Sequence, residues 1–452
     1  MTLPYNIHSK GSVSLDTLIS NVTVVTMNEK MDVLFGAYLG IAEGKIAYIG
    51  KNAPSEQPKT IIDGTGMVAM PGLINCHTHL PTAVLRNFLD DATKEEALKQ
   101  LLVRQSKIDE RAGRAAIRLA LAECLRFGVT SVSDLYYSPE VTAEIVAESG
   151  MKANIALAGT RFVDDSEDFD FETDPGCKSL VSAVEKWHNY DNGRIKIDAG
   201  IHAEFTSNHQ LWEALSAYAI EQGLGLQMHL SESAQEVADC EERTGLTPAE
   251  LMNCHGVFRV PVTAAGCIHL TETEQKILGK AKVSAVAMPV AAAKQGYAAT
   301  PITDCVKNGM NVVLGTDSAV ASGNMDMFEA MRFAALQTRQ AGGDGDVLPA
   351  AACLMMATVC GARAQGRAEE CGMLKEGMDA DIVLVDFSAP HLIPCHNVIS
   401  SLVFSVKGGD VAMTMVRGKI LYQNGQFPTL DLNATVSEIM EYAIPRLMKE
   451  EV

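Results

Sequence analysis

Short apolar runs alternate with longer amphipathic stretches between residues 67 and 315. Most of the runs are apolar without alternation, which is typical of strands that are covered on both faces. Their positions are 68–75, 130–135, 153–159, 196–203, 224–230, 264–270, 282–288 and 311–315. Helical periodicity fills the intervals, as at 112–126, 140–148 and 210–222, each closed by a glycine. Eight strands with intervening helices predict a (β/α)8 barrel of the TIM type.

Strand patterns of a different kind flank this region on both sides. Residues 21–27 alternate, and 37–41 with 45–49 predict a hairpin around a glycine turn. Beyond helical stretches at 326–340 and 349–364, the pattern predicts strands at 381–386, 411–416 and 418–422, then an amphipathic helix at 436–449. We therefore expect an α/β protein in which residues 67–370 form the barrel. It would be inserted in a small β-sandwich domain that residues 1–66 and 371–452 build together.

Charge and cysteine content narrow the function classes. The net charge is −19 and the sequence pI is near 5.0, which argues against nucleic-acid binding because that needs a basic face. Eleven cysteines without a C-x-x-C pair indicate a reducing compartment, and we expect a cytoplasmic protein. No signal peptide is apparent, and no uncharged apolar run reaches the ~18 residues of a membrane span.

Histidines and carboxylates follow several of the predicted strands. They are His77 and His79 after the first strand, His202 after the fourth, His229 and Glu232 after the fifth, His269 after the sixth and Asp317 after the eighth. Each histidine taken singly fits an ordinary core or rim position. Active sites of such barrels lie where the strands end, and neutral imidazole is a common zinc ligand. Their joint placement therefore indicates a metal site.

The motifs around these residues resemble those of a known family. They are Pro71-Gly-Leu-Ile-Asn-Cys-His-Thr-His79, Met228-His-Leu-Ser-Glu-Ser233, Gly266-Cys-Ile-His-Leu270 and Leu314-Gly-Thr-Asp-Ser318. Together they resemble the amidohydrolase superfamily, most closely its branch of methylthioadenosine/S-adenosylhomocysteine deaminases and triazine hydrolases. The resemblance runs from about residue 20 to about residue 426.

The resemblance implies a metal centre and a reaction. It makes His77, His79, His229 and Asp317 the ligands of one divalent metal ion per chain, usually Zn²⁺, with Fe²⁺ or Mn²⁺ as the alternatives. It implies hydrolytic deamination of a purine- or adenosine-like nitrogen heteroaromatic compound, with metal-bound hydroxide as the nucleophile. Glu232 would carry the protons, His269 would polarise the reacting group and Asp317 would accept a proton.

Substrate recognition is where the sequence departs from the family pattern. The resemblance assigns His202 and Arg161 to substrate, alongside His229 and Glu232. For His202, the alternative is that it orients a neighbouring metal ligand. For Arg161, the alternative is an ordinary surface position. Four family features have changed: a Trp near Ala97, a Glu near 106–107, a polar motif at 288–294, and a proline where Glu204 stands. Buried ribose hydroxyls would lack partners, which disfavours S-adenosylhomocysteine and methylthioadenosine as substrates.

Two other functions remain open on the sequence. The same site could remove chloride or an amine from a triazine, or open a cyclic amidine. The chain could also be a catalytically silent binding homologue, although such relatives typically lose metal ligands. The expected partners are a small heteroaromatic substrate and further copies of the chain, with no nucleic acid and no membrane.

Overall fold

The computed structural model describes residues 14–88, 90–91, 100–101, 103–161 and 169–449. Within these residues, eight parallel strands form a barrel in which neighbours in sequence are neighbours in space. The barrel strands are β6 (Leu73–Thr78), β7 (Val129–Tyr136), β8 (Lys152–Leu157), β9 (Ile195–Ile201), β10 (Leu226–Leu230), β11 (Val262–Gly266), β12 (Ser284–Ala287) and β13 (Asn311–Leu314). The predicted TIM-type barrel is confirmed.

The barrel closes between its last and first strands. The amide of Asp317, just after β13, donates to the carbonyl oxygen of His77 at 3.0 Å. The side chain of Asn75 bonds Thr316 twice, as an acceptor from its amide at 3.0 Å and as a donor to its hydroxyl at 2.7 Å. Two candidate ligands are thus held side by side by the closure itself.

Both ends of the chain contribute to one mixed sheet. Its strands are β1 (Thr17–Val25), β2 (Val33–Ala42), β3 (Lys45–Gly50), β4 (Thr60–Asp63), β5 (Met67–Pro71), β14 (Ile382–Asp386), β15 (Val411–Val416) and β16 (Lys419–Gln423). The N-terminal and C-terminal parts join where β5 pairs with β14 in antiparallel register. The small β domain built from both termini is therefore confirmed.

The predicted first barrel strand, 68–75, is two strands in the structure. β5 belongs to the mixed sheet and β6 to the barrel, and the chain crosses between them at Gly72. A Cβ atom on Gly72 would lie 2.1 Å from the Thr130 hydroxyl oxygen, so only glycine allows this close passage. The sequence does not show that the chain passes from one sheet to the other here, because both strands are buried and together form one uninterrupted apolar run. The division into residues 1–66, 67–370 and 371–452 stays a proposal, and we propose Gly72 as the point at which the chain enters the barrel.

Helices occupy the intervals between the barrel strands. They are α1 (Glu110–Arg126), α2 (Pro139–Ser149), α3 (Pro175–Trp187), α4 (His209–Gln222), α5 (Ala234–Thr244), α6 (Pro248–Cys254), α7 (Glu272–Lys280), α8 (Pro289–Gln295) and α9 (Ile302–Lys307). Short turns lie at Leu80–Leu85, Tyr190–Gly193, Glu204–Thr206 and Val257–Arg259. None of the helices in the described residues is long and apolar enough to cross a bilayer.

Further helices follow the last barrel strand. They are α10 (Ala319–Ser322), α11 (Met327–Gly342), α12 (Ala350–Met356), α13 (Val359–Ala364), α14 (Val398–Phe404), α15 (Leu432–Glu438) and α16 (Ile444–Leu447), with short turns at Pro390–Leu392, Gly408–Asp410 and Ile439–Ala443. The helix predicted at 349–364 is interrupted at Thr358, whose φ of −132° and ψ of −90° are not helical. The terminal helix begins earlier than predicted, because Asp431 caps it by accepting from the amide of Ala434.

A buried arginine ties the end of the barrel opposite the strand C-termini together. Arg367 is fully buried, and its guanidinium donates to the carbonyl oxygens of Ala153 at 2.9 Å, Arg194 at 3.1 Å and Gly193 at 2.6 Å. These carbonyls lie at the beginnings of β8 and β9. One side chain thus satisfies three main-chain acceptors that water does not reach.

We expect Arg367→Met to lower the free energy of unfolding by about 3–5 kcal/mol, because three hydrogen bonds from a charged group to buried carbonyls are lost at about 1.5–3 kcal/mol each. The carbonyl oxygen of Arg194 keeps the amide of Ala153 as a donor at 3.1 Å, so the loss should fall short of the full sum. Urea unfolding followed by circular dichroism measures the change. The matched control is Arg332→Met on the exposed face of α11, for which the change should stay within about 0.5 kcal/mol. Equal losses in the two variants would contradict this role for Arg367.

Candidate metal centre and active site

Three imidazoles meet at the C-terminal end of the barrel. His77 lies in β6, His79 follows it directly, and His229 lies in β10. One ring nitrogen from each histidine lies within 4.8 Å of those of the other two, and Nε2 of His77 is 3.1 Å from Nε2 of His229. The i, i+2 spacing places the first two rings on the same side of the extended chain, facing the third from across the barrel.

Main-chain carbonyls fix the tautomer of two of these rings. Nδ1 of His79 donates to the carbonyl oxygen of Leu135 at 2.6 Å, and Nδ1 of His229 donates to that of His202 at 2.8 Å. A carbonyl oxygen only accepts, so each Nδ1 carries the proton and each Nε2 is left with its lone pair. This is how outer partners orient histidine ligands of metals.

Burial keeps the imidazoles of His77 and His79 neutral. Removal from water, followed by the neighbouring rings, holds the pKa of His77 well below its usual value. Burial and the nearby His229 lower the pKa of His79 to about 3. Neutral imidazole is the form that binds metal, and lone pairs that converge without protons repel one another. The donor set therefore fits a cation at its centre.

Asp317 adds a carboxylate to the same group. Its Oδ1 lies 3.4 Å from Nε2 of His79 and accepts from the amide of Ser318. Burial raises the pKa of Asp317, although the nearby His229 and the hydrogen bonds from Ser318 oppose this. Three nitrogens and one carboxylate oxygen are a donor set that zinc accepts while an open position remains for water.

Glu232 is positioned by a second glutamate. The amides of Ser231 and Glu232 donate to Oε1 and Oε2 of Glu236 at 2.9 and 2.8 Å, and Ser233 caps α5 by accepting from the amide of Glu236. On the neighbouring strand, a Cβ at Gly266 would lie 3.0 Å from Cβ of Glu232, and the φ of Gly266 is +91°. Glycine at this point makes room for Glu232.

The carboxyl group of Glu232 is buried beside other acids. Burial, followed by the charges of Asp317 and Glu236, raises the pKa of Glu232 to about 8. A carboxyl group with a pKa near neutrality both takes up and gives away a proton, which suits general acid–base work. A cation bound beside it would lower this pKa by favouring the charged form.

His202 takes part through its main chain and its ring. Its carbonyl oxygen accepts the hydrogen bond that orients His229, and the two ring centroids are 5.1 Å apart. Nδ1 of His202 pairs with the hydroxyl of Thr206 at 3.0 Å. Burial and the neighbouring imidazoles lower the pKa of His202 to about 3. The hydrogen bond from His229 thus supports the alternative that His202 orients a metal ligand. The ring of His202 also lies next to the three converging histidines.

The remaining candidate residues lie around this centre. The amide of Arg161 donates to the carbonyl oxygen of Thr206 at 2.8 Å, and its guanidinium lies 5.1 Å from the centroid of the Phe169 ring. This places Arg161 beside the turn that follows His202. His269 is half-buried after β11, and its amide donates to the carbonyl oxygen of Ser231 at 2.9 Å. His269 is not in the group of three histidines whose nitrogens converge.

The changed family positions differ in what the structure says of them. The position near Ala97 lies outside the described residues. Lys107 is held by the C-terminal segment, since its Nζ donates to the carbonyl oxygen of Lys449 at 2.5 Å. The 288–294 segment turns from β12 into α8, and its Lys294 forms an ion pair with Asp90 at 2.6 Å.

Two supporting residues escaped the sequence analysis. Glu236 holds the amides around Glu232. Asp134, fully buried in β7, accepts from the amide of Leu80 at 2.7 Å and from the hydroxyl of Thr78 at 3.2 Å, which fixes the chain on both sides of His79. Burial raises the pKa of Asp134 to about 7. A charged residue inside an otherwise buried predicted strand was the signal that could have found it.

Comparisons with known proteins agree with this geometry. The model of the amidohydrolase family matches residues 68–421. A 5-methylthioadenosine/S-adenosylhomocysteine deaminase of Acetivibrio thermocellus is 33% identical over 436 residues, covering 95% of this chain and 99% of the relative. A 5'-deoxyadenosine deaminase of Methanosarcina acetivorans is 34% identical over 424 residues, covering 94% and 96%.

Solved structures share the whole fold. A zinc-bound adenosine deaminase from Xanthomonas campestris superposes with a TM-score of 0.90 at 27% identity, covering 96% of this chain and 99% of that one. A zinc complex of atrazine chlorohydrolase from Arthrobacter aurescens gives a TM-score of 0.87 at 24% identity, covering 94% and 100%. The latter likeness concerns the fold alone.

Proposed function

The chain belongs to the amidohydrolase family, and on that premise we propose that it is a metal-dependent deaminase. It hydrolyses the bond between a ring carbon and an exocyclic amine in a purine-like nitrogen heteroaromatic compound and releases ammonia. The observation that carries the proposal is the convergence of three imidazoles on one point beside a buried carboxylate. The relatives named as deaminases, which match over almost their full length, support the same reaction.

His77, His79, His229 and Asp317 hold one divalent cation in this proposal, and zinc is the ion that neighbouring structures contain. When bound, such a cation supplies Lewis acidity that lowers the pKa of a coordinated water from 15.7 to about 7. The two carbonyls that accept from Nδ1 leave the Nε2 atoms of His79 and His229 free to hold the ion when it is bound. Metal identity and a homo-oligomeric state stay predictions, which elemental analysis and light scattering of the purified protein check.

The proton transfers fall to the acidic residues. Glu232 takes one proton from the attacking water and gives it to a ring nitrogen. The amine then leaves as ammonia with the second proton of that water, which comes from the hydroxyl group added to the ring carbon. Water is consumed, the carbon–nitrogen bond breaks and a carbon–oxygen bond forms. Asp317 accepts a proton beside its role as a ligand, and His269 polarises the reacting group. His202 and Arg161 contact the substrate at the ends of β9 and β8.

An ammonia-release screen tests the proposal. Zinc-loaded protein is assayed with adenosine, 5'-deoxyadenosine, 5'-methylthioadenosine, S-adenosylhomocysteine, guanine, pterins and amino- and chloro-triazines. We expect ammonia from at least one aminopurine compound, with the Glu232→Gln variant as the control for contaminating deaminases. Absence of ammonia from every aminopurine compound would contradict the proposal, and chloride release from a chlorotriazine in its place would favour the triazine-hydrolase alternative.

A further inference from the structure

A buried ion pair near the site is not used by the proposed chemistry. Glu204 is only 1% exposed, and its Oε1 and Oε2 accept from Nη1 and Nη2 of Arg243 at 2.9 Å each. Paired parallel bonds of this kind fix orientation as well as distance. The Arg243 side chain is half-exposed and lies in the last turn of α5. The pair therefore has one end inside the protein and one at its surface.

The ion pair connects the elements on either side of His229. Glu204 opens the turn Glu204–Thr206 that follows β9, and Arg243 closes the helix that follows β10. The first turn of that same helix holds the main chain of Glu232 through Glu236. The pair thus joins the turn after the fourth barrel strand to the helix that carries the proposed proton shuttle.

The turn that Glu204 opens begins two residues after His202, whose main-chain carbonyl orients the His229 ring and also accepts from the amide of His229 at 3.0 Å. The carbonyl oxygen of His202 is the acceptor for Nδ1 of His229. The hydroxyl of Thr206 in turn pairs with Nδ1 of His202 at 3.0 Å and donates to the carbonyl oxygen of Ala203 at 3.1 Å. A displacement of the turn would move the acceptor that directs Nε2 of His229 at the other two imidazoles.

We propose that Glu204 and Arg243 are positioning residues that keep His229 and Glu232 in their working geometry. Neither residue touches the reacting atoms in this proposal. The inference rests on the proposed function only for its kinetic readout, because the alignment of His229 also governs metal binding by the resting protein.

The main-chain conformation around Glu204 shows how the Glu204–Arg243 ion pair restrains the turn. Ala203 is extended, with φ −158° and ψ 168°, and Glu204 is the first residue of a helical turn. An extended residue before it and a first-turn position are the surroundings in which proline fits. The ion pair therefore restrains through side chains a turn that a proline ring would restrain covalently.

The test compares Glu204→Gln, Arg243→Ala, Arg243→Lys and the double variant Glu204→Pro/Arg243→Ala. Zinc affinity of each metal-free protein is measured by competition with a chelator, together with its melting temperature. We expect Arg243→Ala to weaken zinc binding about 10- to 100-fold, the range seen when outer partners of metal ligands are lost. Glu204→Gln and Arg243→Lys should lie between that variant and the parent protein.

Proline should replace the ion pair. We expect Glu204→Pro/Arg243→Ala to bind zinc within about threefold of the parent, a difference of about 0.65 kcal/mol. Its kcat should recover with it, while KM changes little in any variant. Arg118→Ala, which breaks the surface pair with Glu148, is the matched control and should bind zinc like the parent.

Two results would overturn the inference. One is parent-like zinc affinity in both Arg243→Ala and Glu204→Gln. The other is a double variant that is folded, with the melting temperature of Arg243→Ala, and binds zinc no better than that single variant. If Arg243→Ala does not fold, the Glu204→Gln affinity alone decides. Weakened zinc binding without any deaminase activity would support the positioning roles and contradict the proposed function, so the two failures are distinguishable.

Discussion

Replacing Glu232 with glutamine is expected to lower kcat for ammonia release by about 10²- to 10⁴-fold, the contribution that a positioned general acid–base group makes. The amide has nearly the same shape but cannot take the proton from water or deliver it to the ring. The hydrogen bond from the main-chain amide of Glu232 to the side chain of Glu236 does not involve the substituted group. The loop should therefore keep its conformation. Steady-state kinetics and elemental analysis of the same preparation measure turnover and metal content.

The metal content of this variant distinguishes a loss of proton transfer from a loss of the metal site. Because the residues that converge on the proposed ion are His77, His79, His229 and Asp317, Glu232→Gln should keep one metal ion per chain. Glu221→Gln, at the exposed end of α4, is the matched control and should leave both quantities unchanged. Full activity in Glu232→Gln would remove Glu232 from the mechanism.

The strands of the barrel were predictable because they are covered on both faces. β6 and β8 are buried along their whole length, and such strands appear in sequence as apolar runs bounded by polar residues. The same property made the first predicted strand wrong, since β5 is also largely buried. An apolar run does not show to which sheet it belongs, and the two strands differ only in their partners, since β5 pairs with β14 and β6 pairs with β7.

The candidate ligands were predictable for a different reason. The C-terminal ends of parallel barrel strands all lie at one end of the barrel. A histidine predicted at the end of any barrel strand, such as His77 or His229, is therefore expected there before any distance is known. No such rule predicts which residues orient the ligands from outside the site. Glu204 and Arg243 are separated by 39 residues, and a glutamate in a loop with an arginine near a helix end looks like two solvated charges in sequence. Their pairing depends on how β9 and α5 pack.

Replacing His229 with alanine is expected to reduce bound metal well below one ion per chain and to abolish ammonia release. The substitution removes the Nε2 atom that lies 3.1 Å from Nε2 of His77. It also removes the side-chain hydrogen bond to the carbonyl oxygen of His202, which keeps only the main-chain amide of residue 229 as a donor. Loss of an outer partner alone weakens metal binding about 10- to 100-fold. Loss of a ligand together with its orienting bond should therefore cost at least about 100-fold in zinc affinity.

The control for this variant is His391→Ala, a half-exposed histidine paired with Asp410 in the C-terminal segment. It should retain full metal occupancy and full activity. Melting temperatures show whether His229→Ala remains folded. They are measured on the metal-free proteins, because an ion bound only to the native state raises the melting temperature of any variant that still holds it. A folded His229→Ala protein with undiminished metal content would contradict the ligand assignment, since a cation held by the other three residues would not need the imidazole on β10.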